Sequence, residues 1–348
     1  MKKLNFLHMN IIKYRKIPFF ISGALFLTSV VLLFTIGLKA GIDFTGGSLL
    51  EVTFTEQRPT ITEVSDALAS LDLGEVQVQP SGDHGMILRL KFISEVEHQD
   101  ILATLRDTFP VEHPAEVLPE VTINGGSEQG GKVAIETVEG ATIMLNDTSI
   151  AQDAPAVIEE RLETIGPTVS AHLKERALQI GLSVVIAIVV FIAYAFRRVS
   201  KPISSWKFGV TAVIALVHDV MIVVGMFVLL GYYLNVEVNI PFIVALLTIL
   251  GYSVNDTIVV FDRIRENLIR MGYQKFEEVV NKGVNDTLMR SFNTSFTTLL
   301  VLSTLFFFGG ETIKYFALAL IAGIIVGTYS SIFLASPILI VWERWTHR

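Results

Sequence analysis

There is no cysteine among the 348 residues, which excludes disulfides and thiolate metal sites and leaves the compartment open. Bases are scarce in one long stretch. Residues 39–176 carry 24 acids and 9 bases, and the rest of the chain carries 10 acids and 18 bases. The net charge of −7 and the pI near 5.6 therefore average two parts that address different surroundings. A catalytic constellation is also missing. The acids of 39–176 are scattered, and His84, His98, His113 and His172 lack ligand spacing, so a solvated acidic face is expected and no metal site. The loop Asn124-Gly125-Gly126 to Gly130-Gly131 has no Lys-Ser/Thr behind it and no helix start, so it does not read as a phosphate loop. No cofactor and no nucleic-acid partner are expected.

What is abundant is apolar residue in blocks. Half the chain is hydrophobic and the mean hydropathy is +0.56. Six blocks, 17–38, 177–196, 208–234, 240–261, 291–308 and 315–342, approach or exceed the ~20 residues that cross a ~30 Å hydrocarbon core. A soluble enzyme is excluded by these runs. The first follows Lys2, Lys3, Lys13, Arg15 and Lys16 and continues into Lys39-Ala40-Gly41 without a cleavage site, so it reads as an uncleaved anchor. The short loops set the orientation. Arg197, Arg198, Lys201 and Lys207 lie between spans two and three, and Arg263, Arg265, Arg270, Lys275, Lys282 and Arg290 lie between spans four and five. Residues 232–239 carry no base. The positive-inside rule then places both termini (1–16 and 343–348) in the cytoplasm and 39–176 outside it.

The outer segment reads as an α+β domain. Residues 47–54 alternate as a strand. Thr60 to Glu63 forms a capping box ahead of Ile61, Val64, Leu68 and Leu71 at helical spacing. Strands at 75–79 and 86–92 flank the turn 81–85, and Ser94 to Glu97 opens a second helix. The order β-α-β-β-α needs one more strand to complete a ferredoxin-like layer, and 158–170 can supply it. Residues 111–155 form an insertion. The fold class is thus a polytopic α-helical membrane protein with a ferredoxin-like exoplasmic domain between helices 1 and 2 and a five-helix bundle over 177–342.

Ionisable groups inside a membrane are costly and point to function. Asp256 lies in span four, roughly 8 Å from its charged end at 1.5 Å per residue. Two readings stand for it: a charge-translocating acid, or a polar group in a wet interface. His218 and Asp219 sit mid-way in span three and read as a packing network or a secondary polar site. Arg290 opens span five as a snorkelling anchor or a functional base, ahead of Ser291, Asn293, Thr294, Ser295, Thr297 and Thr298. Span six carries Ala319, Gly323, Gly327, Ser331 and Ala335 at intervals of four, a small-residue stripe for close helix packing.

Three stretches resemble the SecF family, the smaller subunits of the SecDF complex of bacterial protein export, in the RND superfamily. They are Gly41-Ile42-Asp43-Phe44-Thr45-Gly46-Gly47 after span one, the run from Gly251 to Asn267 in span four, and Arg290 to Thr298 with Gly309-Gly310. The resemblance implies half of a twelve-span RND-type bundle in a bacterial inner membrane, paired with a SecD-like subunit. It implies work with the SecYEG translocon and SecA on preprotein substrates, driven by a proton or sodium gradient and embedded in membrane lipid. It makes Asp256 the ion-coupling acid and Arg290 its basic partner, with Asn255 and Thr257 flanking, and Asp43, Phe44, Gly46 and Gly47 the signature at the membrane exit. The competing reading is an RND-type exporter of small molecules or lipids. One half-bundle with a single loop domain lacks the two large domains of a complete exporter.

Overall fold

The computed structural model describes residues 10–110, 133–136, 142–145, 156–195, 205–272 and 275–346. The chain divides into two compact units, Gly47–Gly166 and the remainder. The glycine loop 124–131 and the basic residues Arg197, Arg198 and Lys201 lie outside the described residues.

In the larger unit, six helices are long and apolar enough to cross a membrane. They are α1 (Lys16–Thr35), α5 (Pro167–Ala195), α6 (Ser205–Leu234), α7 (Ile240–Met271), α8 (Phe276–Phe308), and a sixth span in which α9 (Glu311–Ser330) passes through a π-helical turn (Ser331–Ala335) into α10 (Ser336–Thr346). A four-residue helix, α2 (Ile42–Thr45), follows α1. Helix α1 is apolar all round, and Phe20 and Phe34 stand open on it, as suits a helix facing lipid. The bundle buries Phe208, Phe227 and Phe261, and α7 packs on α8 and α9.

Helices α7 and α8 run about ten and fifteen residues past the apolar blocks from which they were read, and 272–275 connects them. Hydropathy alone reads the charged stretch as loop. The helix persists there because Ile264 and Leu268 stay on the buried face against Val280 and Val284. Ion pairs at helical spacing, Arg265–Asp262, Arg263–Glu266 and Arg270–Glu266, support the outer face. Helix α5 also starts earlier than its apolar block, at Pro167. Proline at the first helical position loses no hydrogen bond and stops the preceding strand.

The smaller unit holds β1 (Gly47–Phe54), α3 (Ile61–Leu68), β2 (Gln77–Ser81), β3 (Gly85–Leu90), α4 (Glu95–Thr108) and β6 (Val157–Ile165). Its sheet has the order β2-β3-β1-β6 with every pair antiparallel, which completes the ferredoxin-like layer. Leu50 pairs with Leu88 on one side and Leu162 on the other, and Val52 pairs with Met86. This face packs on Val64, Leu68, Ile101 and Leu105, all essentially fully buried, at about 1.5–3 kcal/mol per side chain. Both helices start on the expected capping boxes, Thr60 with Glu63 and Ser94 with Glu97. The last strand ends at Ile165, short of the 158–170 expected, because Gly166-Pro167 turns the chain into α5. Within the insertion, β4 (Val133–Glu136) pairs antiparallel with β5 (Thr142–Leu145).

Candidate functional site

The site is built where span six meets α7. Its small-residue stripe faces α7 step for step. A Cβ on Gly323 would lie 2.3 Å from Ile249 Cδ1, and one on Gly327 would lie 3.2 Å from Ser253 Cβ. One turn further, the stripe reaches Ser331, whose hydroxyl donates to Asp256 Oδ2. The glycines bring the two backbones close enough for this hydroxyl to reach the acid. Packing and chemistry therefore share one helix face.

Asp256 Oδ1 accepts a second hydroxyl, Ser291 Oγ of α8, at 2.5 Å. The carboxylate is half-buried and ties α7 to two other helices, and it has no ion pair among the described residues. Thr257 is buried beside it and Asn255 is exposed. Neither supplies the bonds to Asp256, which come from Ser291 and Ser331. A further hydroxyl string lies alongside: Tyr252 to Ser295 at 2.9 Å and Ser295 to Thr328 at 2.6 Å.

Arg290 is exposed and does not bond Asp256. It lines an open cleft of about 560 Å³ with Asp262, Arg263, Arg265, Glu266, Asp286 and Thr287. It is nevertheless the neighbour of Ser291, which does hold the acid. The same end of the bundle is knitted by Arg263–Asp286 at 2.9 Å, by Glu277 between Arg15 and Arg344, and by a buried Lys207–Glu343 pair at 2.6 Å.

Asp219 and His218 form a second intramembrane group. Asp219 is fully buried and accepts from Ser253 and Ser330.

The exit segment explains its own composition. Asp43 Oδ2 accepts the N–H of Ile240 at 2.7 Å, so a residue nearly two hundred positions away caps the start of α7, whose own Asn239 supplies no side-chain cap. Ala40 bridges Val238, with Val238 N–H donating to Lys39 at 2.8 Å and Gly41 N–H to Val238 at 2.9 Å. Gly46 and Gly47 have φ of 75° and 136°, values that only glycine takes without strain. Phe44 is half-buried in this segment.

The sequence pattern picks out the acids, and Ser291 and Ser331 near them, but not which hydroxyl bonds which acid. Ser331 is legible as a small packing residue and Ser253 as a hydroxyl within the span-four signature, while Ser330 is unremarkable in its apolar run. A serine four residues beyond a glycine of the stripe was the available signal.

Residues 31–57 match the SecD/SecF GG motif, and residues 147–345 match the C-terminal family of the protein export membrane proteins SecD and SecF. The protein translocase subunit SecF of Thermobaculum terrenum is 36% identical over 336 residues, covering 97% of this chain and 94% of its own. The chain belongs to the SecF family. The SecF subunit of Rhodothermus marinus is 37% identical over 334 residues, covering 94% and 91%. The crystal structure of SecDF, a translocon-associated membrane protein from Thermus thermophilus, superposes with a TM-score of 0.74 at 28% identity over 99% of this chain. This SecF-family chain spans 40% of that SecDF chain. SecDF in a super-membrane-facing form gives a TM-score of 0.58 at the same identity. The protein is a multi-pass membrane component of protein transport and not an enzyme.

Proposed function

We propose that this chain pairs with a SecD-like subunit and couples an ion gradient to preprotein export through the Sec translocon. The observation that carries the reading is Asp256, an acid inside the bundle held by hydroxyls from two other helices and, among the described residues, by no base. A hydroxyl donates to a bare carboxylate and turns its oxygen toward a bound cation, so the same two serines suit both states. A proton or a sodium ion fits that chemistry. Arg290, one residue from Ser291, is the competing cation: a guanidinium that swings onto Asp256 displaces the ion. Asn255 and Thr257 flank the acid and shape its access.

The six spans are then half of an RND-type bundle in the bacterial inner membrane. The basic ends and both termini face the cytoplasm, with SecYEG and SecA as further partners. The ferredoxin-like unit works on the outer side, where exported chains emerge.

The partnership is tested by purifying the tagged chain in mild detergent from cells that hold a SecD-like protein. Co-purification is expected, along with gradient-stimulated preprotein translocation into inverted vesicles that disappears when the chain is depleted. A stable lone chain, with stimulation unaffected by its depletion, contradicts the proposal.

A further inference from the structure

His218 and Asp219 lie mid-way along α6 and are not used by the coupling scheme above, yet they are built like the Asp256 site. Asp219 Oδ2 accepts Ser253 Oγ of α7 at 2.6 Å and Ser330 Oγ of α9 at 2.7 Å. Its Oδ1 faces His218 Nδ1 at 2.9 Å. Each intramembrane acid thus takes one hydroxyl from span six, and the two donors, Ser330 and Ser331, are neighbours. They stand where α9 gives way to the π-helical turn. Single π turns inside α-helices recur at functional sites.

The second observation is an unfilled position. His218 is buried, its ring lies parallel to Phe26 with centroids 6.4 Å apart, and its Nε2 has no hydrogen-bond partner. Most buried side-chain polar atoms have a hydrogen-bond partner, so this nitrogen calls for an explanation. With Nδ1–H donated to Asp219, Nε2 is a bare lone pair in the membrane interior. Among the described residues, the other ionisable groups at this level on the helices packed against α6 are Tyr252 and Asp256 of α7 and Tyr329 of α9. The tyrosine hydroxyls are engaged with Ser295, and with Ser22 and Pro18. Helix α1 contributes Phe26 and the buried hydroxyls of Ser22 and Ser29.

We propose that the His218–Asp219 pair is a second proton-binding site, linked to Asp256 through the π turn of span six; the proposal rests on the ion-coupling reading of Asp256. A proton adds to His218 Nε2 and leaves from the same atom, and no other covalent bond changes. The imidazolium draws Asp219 toward itself and loosens the carboxylate's hold on Ser330. That frees the π turn to repack and to alter how Ser331 holds Asp256.

The test uses the assembled complex in inverted vesicles, comparing preprotein translocation with and without an imposed proton gradient. His218→Asn keeps a donor at the Nδ1 position and removes Nε2. It should cut the gradient-stimulated component about fivefold, leave gradient-independent translocation unchanged and keep the partner bound. Asp219→Asn removes the counter-charge of the imidazolium and Ser330→Ala releases the carboxylate to it, so the two should shift the pH profile of stimulation in opposite directions, while Asp256→Asn removes stimulation. If His218→Asn and Asp219→Asn keep the wild-type rate and pH profile while Asp256→Asn loses stimulation, this second site is wrong and the reading of Asp256 stands. If Asp256→Asn also keeps it, the reading beneath fails. Should the variants not assemble, ¹⁵N-histidine spectra of the wild-type complex decide. Nε2 of His218 should change protonation over the pH range in which stimulation changes, and a ring fixed in one form overturns the proposal.

Discussion

At the residue scale, one acid and its two hydroxyls carry the functional argument. Removing Ser331 or Ser291 leaves an oxygen of this half-buried carboxylate without its donor, a loss of about 1 kcal/mol. Arg290 acts through charge and reach. Arg290→Ala should therefore lower gradient-stimulated export more than Arg290→Lys, measured as the ratio of rates with and without a gradient. Equal loss in both variants would mean that the planar guanidinium itself is required. Asp256 was legible in the sequence because an acid in an apolar run is expensive and stands out. Its donors, Ser291 and Ser331, were legible as a polar and a small residue but not as partners of the acid, because serine in a membrane helix reads equally well as packing. Arg290 reads in the sequence as a snorkelling anchor or a functional base, and its side chain lines the neighbouring charged cleft. A side chain as long as arginine suits both roles, and sequence position cannot choose between them.

At the scale of elements, the glycine stripe sets the distance between span six and α7. A side chain at Gly323 meets Ile249, so Gly323→Ala should destabilise the purified complex by about 1–3 kcal/mol of overpacking. Ile249→Ala should restore part of that loss in the double variant, read as thermal midpoints. No recovery would place the clash elsewhere. In the outer unit, the backbone N–H and hydroxyl of Thr60 hold Glu63 below the usual carboxylate pKa of 4.5, and those of Ser94 do the same for Glu97. A lowered pKa in the folded state means the caps stabilise fully above that value and are lost as pH falls through the folded pKa values. Amide exchange at the first turns of α3 and α4 should quicken below about pH 4.5, and Glu63→Gln and Glu97→Gln should remove most of that pH dependence. Unchanged exchange would contradict the capping account. These boxes were plain in the sequence because capping is local chemistry. The π turn was not, since Ser331 to Ala335 follows the same apolar pattern as an α-helix. The charged extensions of α7 and α8 were missed because their apolar face is narrow and their ion pairs look like loop composition.

At the scale of the molecule, the six spans, the inserted α+β unit and the family were all present in the hydropathy and in three motifs. The Asp43 cap on Ile240 was not, because it joins segments nearly two hundred residues apart. Among the described residues, five of the bases that set the proposed orientation, Arg15, Arg263, Arg265, Arg270 and Lys275, pair with Asp262, Glu266, Glu277, Glu278 or Asp286 in the folded chain. In the proposed orientation they act during insertion, before those pairs form, which is when the positive-inside rule applies. The central claim is that Asp256 links an ion gradient to export. The most direct measurement is preprotein translocation into inverted vesicles, with the gradient imposed and then collapsed, for wild type, Asp256→Glu and Asp256→Asn. The account predicts that Asp256→Asn assembles with its partner and translocates at the gradient-free rate in both conditions, while Asp256→Glu keeps part of the stimulation. Full gradient stimulation in Asp256→Asn would make Asp256 a packing residue and contradict the account.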